Sequence, residues 1–357
     1  MKKIVIDSFP ISTPYMGFGE FCRQLGERLS KQAAELRARH GIEFYFIVPP
    51  GSKGCFGNEV HYICIPASLR RALPFYPIRA DLFHQPYQNS RTKRLLFARK
   101  QLLTIHDINF IYEKKGKRLQ RATRRFRQKL DQSDYVNYIT QFVREDVEQH
   151  FPNRLPGKVI HNGVTDLSGL AKGCALPAGL PESFFFHISS LMRKKNVHLL
   201  VEMMKFLPDQ NLVIAGNWSG DYASMLRQRI KEENFRNIYI LPNVTEAEKA
   251  ALYAGCRALF FPSLCEGFGL PPVEAMKLGK PVFLSTLTSL PEIGGEAAFY
   301  WDELSPEPMA ETVRKQMAAF DAAPAGYGNA LKQNAARFDW EDCVTQYIRY
   351  YLEIIKS

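Results

Sequence analysis

The sequence is short of most of the signals that would classify it at a glance. No apolar run approaches the ~20 residues that a helix needs to cross a bilayer. The opening MKKIVIDSF is basic, but its apolar run is very short, so it reads as a first strand rather than a secretory leader. The seven cysteines (Cys22, Cys55, Cys64, Cys174, Cys256, Cys265, Cys343) form no CxxC pair and no Cys/His cluster, which argues against zinc. Their odd number, with no export signal, points to a reduced, cytoplasmic chain. Cys265 has no histidine close to it in sequence, so it reads as a small apolar residue and not as a nucleophile. No GxGxxG follows the first strand, which removes the simplest dehydrogenase reading. Low-complexity tracts are absent, with 23 Gly and 22 Pro in 357 residues.

What is present is an uneven charge. Residues 1–165 hold 28 Lys and Arg against 14 Asp and Glu, whereas residues 166–357 hold 19 against 22. Such asymmetry predicts an anionic partner for the first half. The densest basic stretch is EKKGKRLQRATRRFRQK, Glu113 to Lys129. It suits an anionic membrane surface, or equally a solvated helix face with a few apolar residues turned inward. A nucleic-acid partner would also suit the charge, but no nucleic-acid-binding motif accompanies it.

Short apolar runs recur along the chain and end in turn residues. KKIVIDS, FYFIVPP, VHYICIP, DLFHQP, QLLTIHD, DYVNYIT and KVIHNGV read as strands of the first half. FFFHISS, NLVIAG, NIYILPNV, ALFFPS, PVFLS and AFYWD read as strands of the second. Helical spacing follows in FCRQLGERLSKQAAEL, Val197–Phe206, Tyr222–Glu233 and Glu246–Gly255. Alternation of buried strands and helices predicts an α/β chain with parallel sheets covered on both faces. The expected division is a first Rossmann-like domain at 1–165, a Gly/Pro/Ala-rich linker at 166–183 and a second such domain at 184–338. A strongly amphipathic terminal helix at 339–357 closes the chain. Ligands would sit at the carboxyl ends of strands, in a cleft between two doubly wound domains.

The stretch SLCEGFGLPPVEAMKLGKPV, Ser263 to Val282, concentrates the chemistry. If ALFFPS is a strand and a helix begins near Pro272, then Glu266 lies in the loop and Glu274 about one turn inside the helix. Gly267 and Gly269 let backbone approach a ligand, and the free amides of the helix start suit a phosphate. Glu274 can accept hydrogen bonds from vicinal hydroxyls such as a ribose pair. Two carboxylates would also serve a glycosidase. The amide-rich turn and nearby basic residues favour a phosphorylated ligand.

CEGFGLPPVEAM resembles the E-x7-E motif of retaining family-four glycosyltransferases, which have the two-domain GT-B fold. The likeness extends through VTEAEKAALYAGCRALFFPS before the motif and LGKPVFLSTLTSLPEIGGEAAFYWD after it. In the first half LTIHDINFI, the basic helix after it and KVIHNGV fall in the family's order, and FDWEDCVTQYI resembles its closing helix.

The resemblance implies a role for each matching residue. Glu266 would contact the donor sugar, Glu274 the ribose, and the amides at Phe268, Gly269 and Leu270 the sugar and diphosphate. In ISSLMRKKN, Lys195 matches the cation that neutralises the pyrophosphate, with Lys194 and Arg193 assisting. Ser189 and Ser190 stand where many members have Gly-Arg, a departure shared by a subgroup of surface-polysaccharide mannosyl- and hexosyltransferases. That subgroup points to GDP-mannose as donor, with UDP- and dTDP-sugars open. Gly17 and Gly19 in YMGFGE resemble the glycine loop that admits the β-phosphate. His106 in TIHD matches a histidine near the donor sugar and acceptor. Asp107 and His84 are candidates for the acceptor site, Asn243 and Val244 for the nucleotide base, and Asn162 and Gly163 for the hinge.

The implied reaction moves a hexose, with retention and without a bound metal or permanent cofactor, from a nucleotide-sugar to a glycan or lipid-linked saccharide. The enzyme would be cytoplasmic, or peripheral on the inner face of the plasma membrane through 113–129. A sugar-nucleotide epimerase of the same fold is the alternative, and needs further acid/base carboxylates.

Overall fold

The structure, a computed structural model, describes residues 1–12, 17–75, 77–90, 92–152 and 154–357. The chain divides into two units: Met1–Gly163 with Asp339–Ser357, and Val164–Phe338.

The first unit is built on seven parallel strands. They are β1 Lys2–Asp7, β2 Ile42–Val48, β3 His61–Cys64, β4 Ala80–Gln85, β5 Ala98–Ile105, β6 Tyr135–Tyr138 and β7 Gly157–Val159. Their order is β3-β2-β1-β4-β5-β6-β7. Ile4, Val5 and Ile6 are each completely buried, as expected for a central strand covered on both faces. Helix Gly17–His40 lays Phe21, Leu25, Leu29 and Leu36 on one side of the sheet. Beside it lies the terminal helix Trp340–Lys356, which buries Val344, Tyr347, Tyr351 and Ile354 in the same core. Each such side chain withdrawn from water stabilises by about 1.5–3 kcal/mol. The terminal helix starts where Asp339 accepts from the backbone amides of Glu341 (2.7 Å) and Asp342 (3.3 Å). Tyr351 and Tyr347 donate or accept hydroxyl bonds with His84 (2.8 Å) and Thr104 (3.1 Å), which fixes the helix in register with β4 and β5.

The second unit has six parallel strands: β8 Phe185–Ser189, β9 Leu212–Gly216, β10 Ile238–Pro242, β11 Leu259–Phe261, β12 Val282–Ser285 and β13 Phe299–Trp301. They lie in the order β10-β9-β8-β11-β12-β13. Aromatic rings fill this core: Phe185 stacks on Phe260 at 4.4 Å, and Phe260 meets Phe283 and Trp301 edge-on.

Several expectations are refined. The helix expected over Val197–Phe206 is α-helical to Met203 and ends in a tighter turn, Met204–Phe206. The connection expected at 166–183 includes a short helix, Ser168–Ala171, packed against helix Glu246–Gly255 within the second unit. Two helices, Pro306–Ala322 and Pro324–Ala336, lie where no element is expected. Of YMGFGE, Tyr15 and Met16 lie outside the described residues. Gly17 and Gly19 are not in a loop but open helix Gly17–His40.

Candidate active site

In the second sheet the chain runs outward from β8 in both directions, to β9 and β10 on one side and to β11, β12 and β13 on the other. Connections leaving the carboxyl ends of β8 and β11 therefore diverge, which opens the crevice where ligands bind in doubly wound sheets. The principal candidate residues lie on those two connections.

After β8 the chain makes a compact turn. Leu191 (φ 47°) and Asn196 (φ 58°) both adopt the left-handed region, and Arg193–Lys195 form one tight helical turn between them. The amide of Leu264 donates to the Lys194 carbonyl at 2.8 Å, clipping this turn to the connection after β11. Lys195 thereby reaches Glu266: its Nζ forms an ion pair with Oε1, and both side chains are almost wholly buried. Nζ also lies 5.2 Å from the centre of the Phe261 ring at the end of β11. Ser263 Oγ sits 2.6 Å from the same Glu266 oxygen and 3.1 Å from the Lys194 carbonyl, and can give its one proton to either.

A third connection, after β12, supports the glutamate loop. The Glu266 amide donates to Thr288 Oγ1 at 3.1 Å, and Ser289 Oγ lies 3.1 and 2.8 Å from the carbonyls of Glu266 and Phe268. Thr288 has φ 57°, a costly conformation for a β-branched residue, held in place by these contacts. Gly269, at φ 122°, precedes helix Leu270–Lys277, and a β-carbon there would meet Leu290 at 3.0 Å. Gly267 and Gly269 are buried, and Phe268 turns its ring inward onto Phe338 at 5.4 Å. The loop therefore offers backbone, not the Phe268 side chain. Glu274, five residues into the helix, accepts from Lys249 Nζ (3.1 Å) and Tyr253 OH (2.7 Å).

The other candidates have partners of their own. Arg193 is exposed and leans on the Tyr222 ring at 5.7 Å. Asn243, at φ 56°, donates its amide to Gly216 at 3.3 Å beyond β10, with Val244 half-buried beside it. In the first unit, His106 directly follows β5 and its Nε2 lies 2.8 Å from the Pro86 carbonyl. Nε2 must carry the proton, because a carbonyl only accepts. Burial between Phe18 and Phe21 pushes the His106 pKa down to about 4, so the ring is neutral at physiological pH. Asp107 accepts from the Asn109 amide (3.1 Å), and its carbonyl from Gln88 (2.9 Å).

His84 does not line a surface. It is completely buried, and both ring nitrogens are used, by Tyr351 at 2.8 Å and Thr104 at 2.9 Å. It is an internal strut between the terminal helix and the sheet. Gly163 faces Trp340 so closely that a β-carbon would come within 2.3 Å of the indole, and neighbouring Asn162 is buried.

Sequence reasoning misses Ser263, Thr288, Ser289, Lys249 and Tyr253. The only prior signal is the Ser/Thr-rich STLTS after β12. It also misses Gly216, where a β-carbon would sit 1.9 Å from the Ser189 carbonyl oxygen.

Two Rossmann-like parallel sheets, of seven and six strands, are the architecture of the GT-B class of glycosyltransferases. Residues 176–319 match the family described as glycosyl transferases group 1. Over that stretch the chain resembles the group 1 glycosyltransferases. It is 25% identical, over 98% of its length and 99% of the relative's, to O-antigen chain mannosyltransferase B of Escherichia coli. Sucrose-phosphate synthase from Thermosynechococcus elongatus superposes with a TM-score of 0.73 at 19% identity over the whole of both chains. HepE of Anabaena, crystallised with UDP and glucose, also gives 0.73, at 17% identity over 98% of this chain and 99% of its own.

Proposed function

We propose that the protein transfers mannose from GDP-mannose to a hydroxyl of a glycan or lipid-linked saccharide at the cytoplasmic face of a membrane, with retention at the anomeric carbon. The observation that carries this reading is the Lys195–Glu266 pair at the switch point, beside the glycine-flanked start of helix Leu270–Lys277. The mannosyltransferase relative that aligns along the whole chain supports the choice of sugar, and the UDP complex of HepE supports a nucleotide donor.

In the proposed reaction the diphosphate accepts hydrogen bonds from the amides of Gly269 and Leu270 and charge from Lys195 and Lys194. These groups stabilise the negative charge that grows as the C1–oxygen bond breaks. The electron pair of that bond stays on the phosphate oxygen. The acceptor hydroxyl attacks C1 from the same face and gives its proton to that departing oxygen. Glu266 holds the sugar hydroxyls, Glu274 the ribose, and neutral His106 offers Nδ1 as an acceptor. Charge neutralisation by lysines and amides takes the part that a divalent cation has elsewhere.

Thermal-shift titration with GDP-, UDP-, dTDP- and ADP-sugars tests the donor. A millimolar ligand bound a hundredfold below its concentration stabilises by about 2.7 kcal/mol. GDP-mannose should give the largest shift, and equal shifts from all four would refute the donor assignment.

We further propose that helix Gly116–Asp131 docks on anionic lipid. Lys117, Arg118, Arg121, Arg124, Arg125 and Arg127 are exposed and form no ion pair among the described residues, while Phe126 and Leu130 face inward. Lys129 also turns inward, with its Nζ 3.1 Å from Gln85. At about 1 kcal/mol per surface cation, replacing Arg121, Arg124 and Arg125 by Gln should abolish co-sedimentation with phosphatidylglycerol vesicles. Binding that survives this change would reject the docking surface.

A further inference from the structure

Glu274 is held more firmly than a ligand-binding carboxylate needs to be. Its Oε2 accepts from Tyr253 OH at 2.7 Å and its Oε1 from Lys249 Nζ at 3.1 Å, so each oxygen has one fixed partner. Lys249 and Tyr253 stand four residues apart on helix Glu246–Gly255 and so share a face. Neither donor is free to wander. Tyr253 is completely buried, with its ring edge-on to Phe186 of β8 at 5.3 Å. Lys249 is tethered at its other side by Glu246 at 2.8 Å. The helix itself is anchored by a reciprocal cap: Thr245 Oγ1 accepts from the Glu248 amide, and the Glu248 carboxylate accepts from the Thr245 amide.

A carboxylate offers about four lone-pair positions. With one on each oxygen occupied, one on each remains, and the plane of the group is set. Two fixed acceptors on one carboxylate match the two hydroxyls of a vicinal diol. A single hydroxyl would leave one of them unpaired in a site already nearly closed to water.

We propose that Lys249 and Tyr253 are positioning residues that lock Glu274 for two-point capture of a ribose diol, and so make the site selective for ribonucleotide donors over 2′-deoxyribonucleotide donors. This rests on the reading in which Glu274 meets the ribose. It narrows the donor class, because dTDP-sugars lack the 2′-hydroxyl.

Calorimetric titration with GDP, UDP and ADP, each against its 2′-deoxy form, tests it. A hydrogen bond to a charged group is worth about ten- to a hundredfold in affinity, so the wild type should bind the best ribonucleotide at least tenfold tighter than its 2′-deoxy form. Tyr253→Phe and Lys249→Met should each reduce that ratio to about two- or threefold. Binding of the 2′-deoxy form should change little, the donor KM should rise more than kcat falls, and Lys249→Arg should restore the ratio. If both variants fold and keep the wild-type ratio, the positioning role is wrong while the ribose contact stands. If the wild type shows no preference, the ribose contact itself is wrong and the inference falls with it. Lys249 is partly at the surface, so its variants decide the matter should Tyr253→Phe not fold.

Discussion

Replacing Lys195 by Met removes one member of a nearly buried ion pair, and the cost follows from what Glu266 keeps. Its side chain is 12% exposed, and its remaining side-chain hydrogen bond is to Ser263 Oγ at 2.6 Å. Stranding one member of a fully buried pair costs about 3–5 kcal/mol. Residual solvent and the serine bond reduce this to about 2–3 kcal/mol. Glu266→Gln keeps an acceptor for Ser263 and leaves Lys195 a neutral partner, so about 1–2 kcal/mol is expected. The double variant should cost less than the sum, with a coupling of about 1–2 kcal/mol. For a unit of this size each kcal/mol lowers the melting temperature by roughly 2–4 °C, so Lys195→Met should melt about 5–10 °C lower. Chemical denaturation of the four proteins measures the cycle. Turnover provides the second readout: Lys195→Met should lower kcat/KM by about 10²–10³ if the ammonium stabilises the departing diphosphate. A coupling energy within error of zero would refute the pairing. An undiminished kcat/KM would confine Lys195 to a structural role.

Acid should destabilise the fold through three buried imidazoles. Desolvation lowers His84 to about 3, and His106 and His187 to about 4. In the unfolded chain a histidine takes up its proton near pH 6.5. Below that pH the unfolded state binds more protons than the folded one. Stability is therefore complete above about pH 6.5 and falls as pH drops toward 4, by about 1.4 kcal/mol per pH unit for each histidine. Unfolding titrations between pH 7 and 4.5 should show this slope, and a flat profile would reject neutral burial. Gly216→Ala should cost at least about 2–3 kcal/mol, since its β-carbon would enter the Ser189 carbonyl at 1.9 Å with φ at 149°. It should also weaken nucleotide-sugar binding, because Ser189 begins the turn that carries Lys195. Gly326→Ala, in helix Pro324–Ala336 with nothing within 4 Å, should be neutral or stabilising by up to about 1 kcal/mol. Equal losses at the two positions would mean that contact distance is not what decides them.

The strands were legible because each is a short Val-, Ile- or Phe-rich run between turn residues, a pattern that two-sided burial imposes. Helix Glu246–Gly255 was legible from its helical spacing, and the structure adds the reciprocal cap of Thr245 and Glu248 at its start. Helices Pro306–Ala322 and Pro324–Ala336 were not. Pro306, Pro308, Pro324, Gly326 and Gly328 read as breakers, whereas the prolines sit in first turns that spare the missing N–H. Gly17 and Gly19, expected in a loop, instead open helix Gly17–His40. In the site, Glu266 and Glu274 stood out because loop glycines frame them. Lys249 and Tyr253 did not, since only tertiary packing turns an unremarkable helix face toward Glu274. His84 and His106 looked alike at their strand ends. What separates them is a hydroxyl contributed by Tyr351, 267 residues away in sequence from His84.

The chain leaves the first unit at Gly163 and re-enters it at Asp339, and the flanking Val164 amide bonds to the Phe338 carbonyl at 3.0 Å. The second unit is thus a closed insertion whose ends already meet. During synthesis it can fold as one contiguous segment once it has emerged from the ribosome. The first unit must wait with one flank of its sheet bare until helix Trp340–Lys356 arrives to supply Tyr347 and Tyr351, so the sheet that is made first is completed after the one that is made second.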